Sequence, residues 1–157
     1  MEQVKMQMPE WTRVAEVELI YKSKVKASER PVIRCSKDTH NVLRQLWDQN
    51  TIELMEEFKV LLLNRGNRVI GVYNISKGGI TGTVADPRLI LATAIKALAV
   101  SIILSHNHPS GNLKPSHADE EFTIKINEAA KYHDIKVLDH LIMTAEDYYS
   151  FADEGLL

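Results

Sequence analysis

Val100 to Leu104 is a short apolar run that breaks directly into Ser105-His106-Asn107-His108-Pro109-Ser110-Gly111. A run of this kind fits a strand buried on both faces, and such a strand needs a covering layer on either side. The proline and glycine that follow force the chain to turn. The flanking segments supply the layers. From Ser36, Asp38 and Thr39 onward, Val42, Leu43, Leu46 and Trp47 recur at helical spacing, predicting a helix over roughly 37–50 that Asp38 or Ser36 can cap. Phe58 to Asn64 and Arg68 to Ile75 are apolar, β-branched runs separated by Arg65-Gly66-Asn67, the punctuation of a hairpin. Asp86-Pro87 predicts an N-cap with proline at the first helical position and a helix running to about Leu98. Ser116 precedes a further helix to about Tyr132, and Val137 to Met143 reads as a last strand. The order helix, hairpin, helix, strand, helix, strand predicts an α/β fold, a mixed β-sheet flanked by helices.

With 157 residues, 45% of them hydrophobic, the chain has material for one domain. Residues 1–33 read as an N-terminal arm with at most one short alternating run, Val14 to Tyr21, ahead of the charged stretch Lys22 to Arg30; residues 34–157 form the domain. The arm's apolar content is too low to anchor a core, so removal of residues 1–30 is expected to leave the domain folded. A net charge of −2 offers no basic field for a polyanion, and direct nucleic-acid binding is not expected. The single cysteine, Cys35, excludes an internal disulfide and any cysteine-rich zinc cage, and reads as an inert thiol. Neither a signal peptide nor a membrane span is legible in Met1 to Ile20, so a cytoplasmic location is expected.

Residues two apart on a strand face the same way, so His106 and His108 project two imidazoles in one direction about 6–7 Å apart at the backbone. Imidazole and carboxylate are ligands that zinc accepts, and a catalytic site uses three of them with one position left open. Asp119 is the natural third, because the Pro109 to Pro115 loop can fold the first turn of the next helix back toward the histidines. Ser116-x-x-Asp119 also has the outline of a capping box, in which both residues merely start a helix.

The joint pattern from His106 to Asp119 resembles the zinc motif of JAMM (MPN-domain) metalloproteases. More closely, S-H-N-H-P-S-G with the later P-S-H-A-D and L-D-H-L-I is similar to the RadC family of bacterial proteins, over roughly residues 34–157. The resemblance implies an MPN fold of cytidine deaminase-like architecture and one zinc ion per chain on His106, His108 and Asp119. It further implies hydrolysis of amide bonds in a peptide or protein substrate. The family carries an upstream glutamate as general base and acid; of Glu53, Glu56 and Glu57 the resemblance favours Glu56, two residues before Phe58, with Glu57 next. Ser116 matches the serine whose hydroxyl would help stabilise an oxyanion. Asn107 departs from the Ser or Thr of many deubiquitinating JAMM enzymes, which argues against ubiquitin-like substrates. Asp139 and His140 match a family D-H pair, one of which could orient a ligand histidine.

Other readings part from this one on particular residues. A zinc deaminase would need H-x-E with P-C-x-x-C, and a gluzincin would need H-E-x-x-H; neither is present. A non-catalytic MPN scaffold, or a DNA-repair-associated interaction protein of the kind the family name suggests, would not need Glu56, the histidines, Ser116 and Asp119 together. Longer RadC proteins carry a helix-hairpin-helix region whose signature is absent here. Arg88 suits either a helix start or a substrate carboxylate, His117 is expected to be exposed, and His40 and His133 read as surface or interface residues.

Overall fold

The computed structural model describes residues 20–78 and 85–157. The expected run at Val14 to Tyr21 lies outside these residues except for its last two. The elements are α1 (Ser36–Leu46), β1 (Glu57–Leu63), β2 (Val69–Lys77), α2 (Pro87–Lys96), β3 (Ser101–Asn107), α3 (His117–Lys131), β4 (Lys136–Met143) and β5 (Tyr148–Ser150). Five strands form one mixed sheet in the order β2-β1-β3-β4-β5. The β3–β4 pair is parallel, and the β1–β2, β1–β3 and β4–β5 pairs are antiparallel.

Strand parity sorts the side chains into two cores. Phe58, Val60, Leu62, Ile102 and Leu104 face α2 and α3, meeting Ile90, Ala94, Ile126 and Ala130. Leu61, Leu63, Ile103, Leu141 and Met143 face α1, meeting Leu43, Trp47 and Ile33. Helices on both faces leave β1 and β3 buried throughout, as their apolar sequences require.

Local chemistry sets the element ends. Asp86 caps α2 through Arg88 N–H, as expected, and α2 stops at Lys96 before Leu98 enters the left-handed region at φ 54°. Helix α1 is capped at Cys35 rather than by Ser36 or Asp38: the Asp38 carboxylate instead accepts from Arg34 N–H at 2.8 Å. It ends at Leu46 instead of near 50, because Asp48 Oδ1 accepts from Asn50 N–H and closes a turn. Strand β3 continues past the expected end at Leu104 through Asn107, because His106 pairs with Phe58 on one side and with Ile142 on the other. The segment before α1 joins the sheet near the hairpin turn, where Pro31 C=O accepts from Val69 N–H and Val32 bridges Arg68.

Candidate metal centre

Three elements meet at the carboxyl end of the parallel β3–β4 pair, the place where open α/β sheets bind ligands. His106 is the penultimate residue of β3, and His108 follows the strand with its N–H still bonded to Met143 C=O at 2.9 Å. The loop after His108 returns the chain to Ser116, where α3 begins with its positive end toward the histidines. The capping box anticipated in the sequence is formed: Asp119 N–H donates to Ser116 Oγ at 3.2 Å, and Ser116 N–H donates to Asp119 Oδ2 at 2.7 Å. Capping and ligation are therefore not rival roles for Asp119. The cap is what aims its carboxylate at the histidines.

His106 Nε2 lies 3.2 Å from Asp119 Oδ1, His108 Nε2 lies 3.7 Å from Asp119 Oδ2, and the two Nε2 atoms are 2.9 Å apart. A tetrahedral zinc site with bonds of about 2.0–2.1 Å spaces its ligand atoms roughly 3.3 Å apart, and these three separations straddle that value. The other nitrogen of each ring is engaged: His108 Nδ1 meets Asn112 C=O at 2.6 Å, and His106 Nδ1 meets His140 Nε2 at 2.8 Å. When both rings are neutral with their protons on Nδ1, the two Nε2 lone pairs face each other across 2.9 Å, an arrangement that a cation between them relieves. The group could hold a metal ion.

Electrostatics point the same way. Burial pushes the Asp119 carboxyl up, but hydrogen bonds from His106, His108 and Ser116, with the charge of His106, outweigh it and hold the carboxyl far below the usual carboxylate range. The hydrogen bond to Asp119 raises the His108 pKa against the opposing effect of burial, and Asn112 C=O and the charges of Asp119 and Glu56 add to the rise. Burial holds His140 well below the ordinary histidine range.

A cavity of about 180 Å³ opens beside the ligand atoms, lined by Glu56, Phe58, Ala85, His106, Ala118, Asp119, Phe122 and His140. Glu56 shares the parity of Phe58, whose ring lies parallel to that of His106 at 5.9 Å. Residues 33–156 match the RadC-like JAB domain family. The chain belongs to the RadC family. Among curated relatives, UPF0758 proteins of Flavobacterium johnsoniae and Rubrobacter xylanophilus are 46% identical over 124 residues and 40% identical over 129. These alignments cover 79% and 82% of this chain but 53% and 55% of the relatives. A UPF0758 protein of Porphyromonas gingivalis is 48% identical over 103 residues, covering 65% of this chain and 45% of the relative. The chain thus spans about half the length of the curated relatives it matches.

Within this RadC-family domain, the remaining candidates separate by the face they occupy. Glu57 points to the opposite side of the sheet from Glu56, buried against Lys59 Nζ at 2.7 Å and 3.5 Å from Lys77 Nζ, while Glu53 is exposed. Lys59 also lies over the Trp47 ring at 4.6 Å, so the Glu57–Lys59 pair belongs to the α1 core. Of the D-H pair, His140 faces the site. Asp139 faces away, accepting from Ser150 Oγ and from the N–H groups of His140 and Ala152, and thereby ties β4 to the chain end. Ser116 Oγ donates to Asp119 Oδ2 at 2.7 Å, so its proton is turned to the carboxylate rather than to the cavity.

Arg88 pairs with Asp86 at the start of α2, at 2.8 Å from its Nη2, and its side chain is 91% exposed. His117 is exposed beside Glu121, as expected, and His133 is exposed too. His40 corrects the surface reading: it is buried and stacked on Tyr148, with ring centroids 4.5 Å apart. Thr123, a buried helix residue that contacts His140 at 2.6 Å, belongs to none of the sequence motifs above. No signal in the sequence separates it from any other threonine in an amphipathic helix. Among the described residues no helix is long and apolar enough to cross a membrane.

Proposed function

We propose that this chain is a metallohydrolase of the JAMM type that cleaves amide bonds in a peptide or protein substrate, using one zinc ion on His106, His108 and Asp119. The observation that carries the reading is the convergence of three ligand residues, with imidazole nitrogens and carboxylate oxygens 2.9 to 3.7 Å apart, and Glu56 on the wall of the adjoining cavity. Zinc, when bound, lowers the pKa of water in its open position to about 7 and polarises a carbonyl oxygen.

The chain's own residues supply the rest. Glu56 takes a proton from the attacking water and returns it to the leaving amine, a step worth ~10²–10⁴-fold. Phe58 and Phe122 form apolar walls beside Glu56, which limits water around the reacting groups. Ser116 serves first through Asp119, and acts on an oxyanion only when its proton leaves Asp119 Oδ2. The test is to incubate zinc-loaded protein with a peptide and isopeptide library beside the Glu56→Gln variant. Cleavage by the wild type, lost in a variant that keeps its zinc, supports the reading. A zinc-loaded wild type that cleaves nothing, or an equally active Glu56→Gln, overturns it.

A further inference from the structure

His106 can ligate a metal through Nε2 only if its proton sits on Nδ1, and three buried groups decide where that proton goes. Thr123 Oγ1 is 2.6 Å from Asp119 C=O. Two acceptors do not sit at that separation without a proton between them, so the hydroxyl donates to the carbonyl. Thr123 Oγ1 has no second proton to give and must therefore accept from His140 Nδ1, 2.6 Å away. With its proton on Nδ1, His140 presents a bare Nε2, which accepts from His106 Nδ1 at 2.8 Å. In the neutral imidazole, His106 Nε2 is then left bare and directed at Asp119 and His108.

We infer that Thr123 and His140 are positioning residues, a relay running from the Asp119 backbone carbonyl to His106 that fixes the tautomer of this histidine as a metal ligand. The relay is rigidly held. His140 is fully buried on β4, with its ring stacked on Phe151 at 4.7 Å, and Thr123 is 1% exposed on α3. It also joins the three elements of the site, because the carbonyl that orders the protons belongs to Asp119, itself a proposed ligand. For neutral rings the tautomer follows from the hydrogen bonds; its benefit to metal affinity rests on the metal-site reading above.

The test reads the tautomer directly. In chelator-treated, ¹⁵N-labelled wild type, at a pH where free imidazole is neutral, long-range ¹H–¹⁵N correlation is expected to show His106 protonated at Nδ1 and bare at Nε2. His140→Phe removes the acceptor while keeping an aromatic ring against Phe151, and should move the His106 proton toward Nε2. His140→Gln restores an acceptor and should move it back. Zinc affinity, read by competition with a chromophoric chelator, should fall about 10- to 100-fold in His140→Phe and recover in His140→Gln. Thr123→Val, nearly the same shape, removes only the hydroxyl; it should release His140 to either tautomer and give a loss between the two. It also keeps the test open should His140→Phe not fold. A wild-type His106 protonated at Nε2, or a tautomer unmoved in both His140→Phe and Thr123→Val, overturns the relay. Failure of the wild type to bind zinc would instead overturn the metal reading, and the tautomer would still decide the relay.

Discussion

Asn107 holds the backbone on both sides of Glu56. Its Nδ2 donates to Ile52 C=O at 2.6 Å and to Met55 C=O at 2.9 Å, and its Oδ1 accepts from Glu57 N–H at 2.7 Å. The residue lies between the two histidines in sequence and points to the opposite face of β3, so the end of this strand and the residue after it carry the two histidines in front and the clamp on the glutamate segment behind. This gives the asparagine of H-N-H a physical task. Serine at the same place has too few donors to hold both carbonyls.

Asn107→Ala should therefore cost about 2 kcal/mol or more, since it leaves buried backbone groups unpaired. Asn107→Ser should keep zinc within a few-fold while lowering turnover at least ~10-fold, because the histidines stay on the ladder and Glu56 loses its fixed backbone. Chelator competition and turnover on the same preparation check this, and a parallel fall in both would remove the distinction.

Glu56 and Glu57 should separate cleanly. Glu56→Gln should leave the melting temperature nearly unchanged, as the side chain lines a cavity. Glu57→Gln leaves Lys59, 3% exposed, without its anionic partner and should cost about 3–5 kcal/mol. Denaturant titration of the two variants reads the difference. The activity of the folded fraction should survive in Glu57→Gln and disappear in Glu56→Gln.

The order of elements from α1 to β4 was legible because their apolar periods are long and their punctuation is chemical: Asp86-Pro87, Arg65-Gly66-Asn67, Ser116-x-x-Asp119. Strand β5, three residues long, is too short to show a period. The end of β3 was obscured by its composition, since Ser105, His106 and Asn107 read as loop until both neighbouring strands are in place. The metal candidates were legible from spacing and resemblance together. His140 stood out only as half of a pair, and its partner Thr123 not at all, because a tertiary hydrogen bond leaves no mark on a helical pattern.

Ser116→Ala tests the coupling of cap to ligand. Loss of the N-cap should cost about 1 kcal/mol. The Asp119 carboxylate would lose the hydroxyl that now meets Oδ2 at 2.7 Å, so zinc affinity should fall along with stability. A residue acting solely on an oxyanion would leave both unchanged and lower turnover alone by ~10²-fold or more. Melting temperature, zinc affinity and turnover of this one variant distinguish the two roles.

The pH dependence of stability should reverse sign near the ordinary histidine value, and zinc should abolish the reversal. Burial lowers His40 and His140, so below about 6.5 the unfolded chain binds protons that the folded chain refuses, and stability rises with pH toward that value. His108 acts oppositely. Its folded pKa is raised, first by the hydrogen bond to Asp119, so its contribution is complete below about 6.5 and is lost as pH climbs through the folded value. Asp119, held below the carboxylate range, contributes fully across this window and loses its share only in strong acid. The metal-free protein should therefore have its highest melting temperature near pH 6.5 and weaken on the alkaline side. Zinc competes with the proton on His108, so its stabilising increment should grow with pH over the same interval. Thermal melts from pH 5.5 to 8.5, with zinc and with chelator, check both limbs. In His108→Ala the alkaline decline should vanish and zinc should add little at any pH; a decline that persists in that variant would place its origin outside the site.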